Sequence, residues 1–171
     1  MREMIRYGFI LAFICVVASA SLALVNSATK SKIMAQAQAE EDAGLKELLP
    51  QAAHFEPVKT ADTVAYYKAH DSNGNLIGVV FIASGKGYAS QVQSLAAMKT
   101  DGTIIAVKII SQNETPGVGT RVAEPSFTGQ FTNKSNLDNV QAITGATISS
   151  RAVIESVKLK AEEVKRLIKN E

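Results

Sequence analysis

From Tyr7 to Val25 no residue carries a charge, and most are Ile, Leu, Val, Phe or Ala. At about 1.5 Å of rise per residue, a helix of that length just crosses a bilayer core of about 30 Å. The segment reads as a single N-terminal transmembrane helix, an anchor over 1–26 that meets the lipid bilayer through residues 7–25. Arg2 and Arg6 precede it, and Lys30 and Lys32 follow it, so the charge asymmetry is weak. By the positive-inside rule the two arginines stay in the cytoplasm and everything after Asn26 faces outward. A second reading stays open. Ala18-Ser19-Ala20 has the A-x-A form of a signal-peptide cleavage site, although the apolar run continues past it through Leu22 and Val25. Both readings begin at the cell inner or cytoplasmic membrane. Both place the remaining chain on its periplasmic or extracytoplasmic side.

The rest of the composition narrows the chemistry. The 171 residues carry a formal net charge of +2, and the basic residues are scattered, so no nucleic acid partner is expected. Cys15 is the sole cysteine and lies inside the apolar run, where neither an intrachain disulfide nor an iron–sulfur cluster can be built from it. Ile14 before it is too large for a lipoprotein cleavage site. His54 and His70 are too isolated to hold zinc. No metal site and no catalytic residue is expected, so redox chemistry would have to come from an organic cofactor or from partners.

Ala28 to Leu49 is rich in Ala, Gln, Glu and Lys, strong helix formers, and ends at Pro50. It predicts a helical stalk over 27–50. Its apolar residues Ile33, Ala37, Leu45, Leu48 and Leu49 form only a broken stripe, so a mostly solvated helix is expected. The remainder, 51–171, reads as one domain without internal repeats. Thr63–His70 and Leu76–Ala83 are strand-like, with the Asp71–Asn75 cluster as their hairpin loop. Gln91–Lys99 and Thr103–Ile110 form a second pair around Asp101-Gly102. Phe127 to Asn136 reads as irregular, with Phe127 and Phe131 packing inward. From Ser150 the pattern is helical, with Val153, Val157, Ala161, Val164 and Ile168 on one stripe facing the sheet. Glu155 near the start and Lys165, Arg166 and Lys169 near the end suit the helix dipole. The class is α+β: a mostly antiparallel sheet with packed helices.

Just before that helix stands Thr144-Gly145-Ala146-Thr147-Ile148-Ser149-Ser150. Gly145 and Ala146 let the backbone approach a bulky group. The unpaired N–H groups and positive end of the helix would face this turn, which suits a phosphate. A threonine there can hydrogen-bond a phosphate or be esterified by one. The same residues also fit a plain turn with Ser149 or Ser150 as N-cap. Glu114-Thr115-Pro116-Gly117-Val118-Gly119 is a second loop signal: Pro116 stiffens it, and Gly117 and Gly119 permit positive φ or close backbone approach. A type II surface turn explains its Pro-Gly pair equally well.

Together the two segments resemble the FMN-binding domain family. That family includes the G subunit of Rnf-type electron transport complexes and the C subunit of Na+-pumping NADH:quinone reductases. Ile143–Val153 is similar to its flavinylation motif and Glu114–Gly119 to its E-T-P-G-x-G loop. Gly85–Tyr88 and Asp101-Gly102 extend the likeness. The resemblance implies FMN joined through its phosphate to Thr147, with Thr144, Gly145, Ala146 and Ser149 around the linkage. It implies a pocket walled by Glu114, Thr115, Pro116, Gly117, Val118, Gly119 and Tyr88. Lys86 or Arg121 could act on the flavin's charge, and Arg151 on its phosphate, although solvation is the ordinary role for all three. Many members carry an acid where this chain has Gln141, its nearest acid being Asp138, and often a histidine where it has Gln112-Asn113.

The function implied is electron transport by a membrane-anchored flavoprotein, one subunit of an Rnf-type ion-translocating ferredoxin:NAD oxidoreductase. Its implied partners are the other membrane subunits of that complex and a flavin transferase using FAD. No G-x-G-x-x-G follows a strand, so NADH is expected to be handled elsewhere. Two alternatives stand beside this: the C subunit of a Na+-translocating NADH:quinone reductase, and a membrane-anchored assembly protein without flavin. A hydrolase using a motif serine lacks both a G-x-S-x-G elbow and a nearby histidine.

Overall fold

The computed structural model describes residues 2–60 and 63–169. The side chains of Arg2, Glu3, Ala37, Gln38 and Thr63 lie outside the described set, so the expectations placed on Arg2 and Ala37 fall there too. The chain forms two compact units, one up to Glu40 and one from Glu41.

The first unit is helical throughout, as part of α1 (Arg2–Leu48). The helix is long and apolar enough to cross a membrane by length and composition. Phe9, Phe13, Leu22 and Leu24 project from it largely exposed, as side chains that face lipid do. Two of its hydroxyls bond back along the helix: Ser21 donates to the Val17 carbonyl and Thr29 to the Val25 carbonyl, each at 2.8 Å. Such back-bonding is how a polar side chain survives on an apolar helix.

The second unit is built on a five-stranded antiparallel meander in the order β1-β2-β3-β4-β5. The strands are β1 (His54–Thr60), β2 (Thr63–His70), β3 (Leu76–Lys86), β4 (Gln91–Met98) and β5 (Ile104–Ser111). The antiparallel sheet and the two hairpins match the α+β expectation. β1 is an addition. Its sequence contains Pro57 and alternates weakly, and it occupies an edge, where a missing N–H costs no ladder bond. β3 also runs three residues beyond Ala83, to Lys86, which carries its end up to the candidate site.

Both faces of the sheet are covered. On one, Val79, Phe81 and Ala83 of β3 and Val92, Ala96 and Met98 of β4 pack against α3 (Thr147–Lys169). Val153, Val157 and Val164 are buried there, and Ala161 and Ile168 partly so. Phe127 and Phe131 close the same core, edge to face with centroids 5.5 Å apart. The irregular reading of their segment is corrected: Phe127 sits in α2 (Pro125–Thr128) and Phe131 in a 3-10 turn, Gly129–Phe131. Pro125 at the first helical position supplies the preset φ that starts this turn.

The opposite face buries Val80, Leu95 and Ala97 under Leu45, Leu48 and Leu49. The end of this segment departs from the solvated reading: Leu45 and Leu48 in the last turn of α1, and Leu49 just after it, are buried, because they meet the apolar undersides of β3 and β4. Tyr67 donates to Glu41 at 2.6 Å and Lys108 pairs with Glu47, fastening the same segment. Burial, and then that bond to Glu41, raise the Tyr67 phenol far above its ordinary value.

Gly85 fixes how closely α3 meets β3. A Cβ there would stand 2.3 Å from the Ala152 carbonyl oxygen and 2.8 Å from its carbon. Both atoms are backbone and cannot turn aside. Gly85→Ala is therefore expected to destabilise the domain by about 2 kcal/mol or more. Thermal unfolding followed by circular dichroism would show this, and an unchanged midpoint would contradict it.

Candidate functional site

The segment Ile143–Ser150 forms a turn that feeds directly into α3. Ala146 N–H donates to the Ile143 carbonyl at 3.0 Å, and Gly145 takes φ 86°, which a side-chain-bearing residue rarely adopts. The helix begins at Thr147, earlier than the Ser150 start expected from periodicity. Its first bond runs from Ser150 N–H to the Ala146 carbonyl at 2.9 Å. The N–H groups of Thr147, Ile148 and Ser149 precede that bond, at the positive end of a 23-residue helix. Ser149 and Ser150 are thus inside the first turn, and neither is its N-cap. Both are buried, and Ser150 Oγ accepts from Ile143 N–H at 3.1 Å, closing the turn on itself. Thr144, Thr147 and Ile148 are exposed.

The Glu114 loop meets this turn. Val118 N–H donates to the Thr115 carbonyl at 3.2 Å, with Pro116 and Gly117 (φ 72°) between them. That is the type II turn its sequence predicts. Glu114 itself is 5% exposed. Its carboxylate accepts the Ser149 hydroxyl at 2.5 Å, Ser90 N–H at 2.9 Å, and the N–H groups of Tyr88 and Ala89 at 3.1 Å each. No cation pairs with it among the described residues. Burial works to raise its pKa, but the bonds from Ser149, Ser90, Ala89 and Tyr88 outweigh that and hold it below the ordinary carboxylate value.

Between these elements opens a cleft of about 350 Å³, lined mainly by apolar surface. Of the residues expected from sequence, Tyr88, Glu114, Thr115, Val118, Gly119, Gly145, Ala146, Thr147 and Ser149 line it. Pro116, Gly117 and Thr144 do not; the first two form the turn that precedes Val118, and Thr144 is exposed. Ile148 lines the cleft without having been singled out. Its signal was available: an isoleucine one place after the motif threonine, at a helix start, has no core to enter. Tyr88, Val118 and Ile148 are 73%, 44% and 55% exposed, leaving apolar surface uncovered around the opening.

The cations fall elsewhere. Arg151 lines a separate groove with Asp138 and Lys158, Arg121 lies 3.8 Å from Glu124, and Lys86 is solvated. Gln141 is exposed, with its backbone held at both ends by the Gln130 side chain, at 2.9 and 3.3 Å.

A donor-rich helix start, an exposed threonine and an adjoining apolar cleft fit a ligand with a phosphate at one end and a flat apolar body at the other. This marks a site suited to a phosphate-bearing ligand, on a domain that follows a long apolar helix in the chain. Comparison with known proteins agrees: an FMN-binding domain model matches residues 87–162, and an RnfG N-terminal region model matches residues 1–48. The chain is 36% identical to the G subunit of the ion-translocating oxidoreductase complex of Methanosarcina acetivorans, over 91% of this chain and 92% of that one. It is 32% identical to the G subunit of the Na(+)-translocating ferredoxin:NAD(+) oxidoreductase complex of Acetobacterium woodii, over 98% and 95%. Shewanella oneidensis NqrC shares the fold, with a TM-score of 0.55 at 22% identity over 72% of this chain and 74% of that one. The chain belongs to the family of G subunits of ion-translocating oxidoreductase complexes. Its cofactor is FMN, and its G-subunit relatives together with the long apolar helix point to a membrane-anchored protein.

The Glu114 bonds carry a pH signature. A carboxyl whose pKa is lower folded than unfolded contributes stability that is present above the unfolded value, about 4.3 for glutamate, and lost as pH falls through the folded value. The exposed Asp71, Asp101 and Asp138 are lowered too, by bonds from Asn75, Thr103 and Lys158. Their contributions are common to wild type and Glu114→Gln and cancel in the difference. The stability gap between the two forms is therefore expected to shrink as pH drops below about 4.3. Thermal midpoints taken from neutral to acid pH would measure it, and a constant gap would contradict it.

Proposed function

We propose that this chain carries FMN esterified through its phosphate to Thr147 and relays electrons inside an Rnf-type ion-translocating complex. The observation that carries the reading is the placement of Thr147. Its side chain is exposed on the first turn of α3, at the lip of the cleft, beside N–H groups that have no carbonyl of their own helix to bond. The phosphate would be held by the N–H groups of Thr147 and Ile148, and the ring by Tyr88, Val118 and Ile148. Gly145 and Ala146 leave room for the linkage. When bound, the flavin supplies the redox chemistry, and the protein supplies attachment, orientation and exclusion of water.

Attachment needs a donor and a transferase, and FAD fits the product. The Thr147 hydroxyl oxygen forms a bond to the FMN-side phosphorus. The pyrophosphate P–O bond breaks, AMP leaves with the bridging oxygen, and the hydroxyl proton is released. No electron changes hands in this step. A covalent link suits a domain outside the cytoplasm, where a lost flavin has no pool to replace it.

Relatives named as subunits of ferredoxin:NAD(+) oxidoreductase complexes support membership in such an assembly. Electrons would enter and leave through membrane partner subunits. Arg2 and Arg6 support an outward-facing domain after Asn26.

Thr147→Ala is expected to abolish covalent flavin and keep the fold, since alanine has no oxygen to esterify and is a good helix former. Flavin fluorescence in a denaturing gel reads this directly, with intact-chain mass as a second measure. Fluorescence persisting in the variant would move the linkage to the exposed Thr144. A wild-type chain of unmodified mass after co-expression with a transferase would favour an assembly protein without flavin.

Ser72→Cys tests the side of the membrane. Ser72 is exposed in the β2–β3 hairpin loop, and the native Cys15 lies within the membrane span. The variant should react with a membrane-impermeant thiol reagent in intact spheroplasts. Labelling only after lysis would refute the outward topology.

A further inference from the structure

Glu114 draws together three segments far apart in sequence: the β3–β4 hairpin at Tyr88–Ser90, its own loop, and the first turn of α3 at Ser149. The chain makes room for it on two sides. A Cβ at Gly87 would stand 2.5 Å from Glu114 Oε1. A Cβ at Gly119 would stand 2.7 Å from Glu114 Cβ and 2.9 Å from its Oε2. With no cation beside it among the described residues, the carboxylate is held by hydrogen-bond donors alone. A neutral amide of the same shape would turn its own N–H groups toward those donors. Ser149 shares the first helical turn with Thr147, so fixing Ser149 sets the rotation of that turn and the direction in which Thr147 projects.

We propose that Glu114 is a positioning residue for flavin attachment. Acting through Ser149 and the 88–90 hairpin, its carboxylate holds the Thr147 hydroxyl and the start of α3 in the arrangement the transferase needs, before the donor arrives. This rests on Thr147 as the acceptor in the transfer written above, in which oxygen replaces AMP at phosphorus and a proton leaves. Prearranging an acceptor lowers the barrier without touching the reacting atoms, so its loss falls on kcat more than on KM. The same bond keeps the Ser149 hydroxyl buried and away from the donor.

Two measurements on the full-length, unmodified chain test this. The first is amide hydrogen exchange without flavin. Residues 88–90, whose N–H groups bond Glu114, and Ser150, whose N–H bonds the Ala146 carbonyl, should exchange at least about tenfold faster in Glu114→Gln, with the later turns of α3 unchanged. Ser149→Ala should speed exchange at Ser150 alone. The second is the initial rate of flavinylation by a purified transferase with FAD, at varied concentrations of this chain. Glu114→Gln should lower kcat about tenfold or more, Ser149→Ala less, both with KM nearly unchanged. The double variant should be no slower than Glu114→Gln, since both remove one contact. If Glu114→Gln fails to fold, Ser149→Ala decides alone, because alanine suits that helical position. Wild-type exchange in the folded variants, wild-type rates, or a loss confined to KM would each overturn the proposal. If exchange responds as expected but the wild-type chain accepts no flavin, the turn is held by Glu114 and the Thr147 linkage is what falls.

Discussion

A carboxylate withdrawn from water is tolerated only where donors replace the water it has lost, and Glu114 meets that condition with five bonds from two other segments. The hairpin N–H groups it binds would otherwise be unpaired beside the cleft, and so would the Ser149 hydroxyl. The dependence is mutual, which is why the two glycines beside it cannot carry a side chain. Take the carboxylate away and three walls of the cleft lose their common tie. The site is thus organised around a buried group in its own wall.

That tie works because the sheet beneath it is rigid. β3 and β4 are buried on both faces, by α3 and the phenylalanine pair on one and by Leu45, Leu48 and Leu49 on the other. Gly85 brings α3 onto β3 at backbone contact distance, and the chain runs on past the strand's end at Lys86 to Gly87, beside Glu114. Helix position, hairpin position and loop position are therefore set by one strand end. The turn at Gly145 then delivers Thr147 to the lip of the cleft with its N–H groups uncommitted, the arrangement a phosphate requires.

Much of this was legible beforehand. The strand pairs were visible because Asp71–Asn75 and Asp101-Gly102 punctuate apolar runs, and the type II turn because Pro116-Gly117 admits few other conformations. β1 escaped because Pro57 and its charges suit only an edge, and edge status depends on the other strands. The leucines at the end of α1 escaped because a short apolar cluster on a polar helix looks solvated until something is packed on it. The early start of α3 escaped because Thr147 and Ile148 are β-branched and weak helix formers, while a first turn is decided by its capping turn.

By itself the sequence determined the local matters: an apolar helix of membrane-spanning length, the antiparallel hairpins, the amphipathic α3, and two turns rich in small residues, whose reading as flavin motifs rested on family resemblance. Each follows from periodicity, turn chemistry or residue type, which act over a few neighbours. Only the tertiary structure decided that the Glu114 carboxylate, in the wall of the cleft, accepts from Ser149 and from the 88–90 hairpin. It alone decided that Ile148 borders the cleft while Pro116 and Thr144 do not, and that the arginines lie away from it. Those outcomes depend on where distant segments meet. Burial and hydrogen-bond satisfaction are properties of that meeting, and no window of sequence contains them.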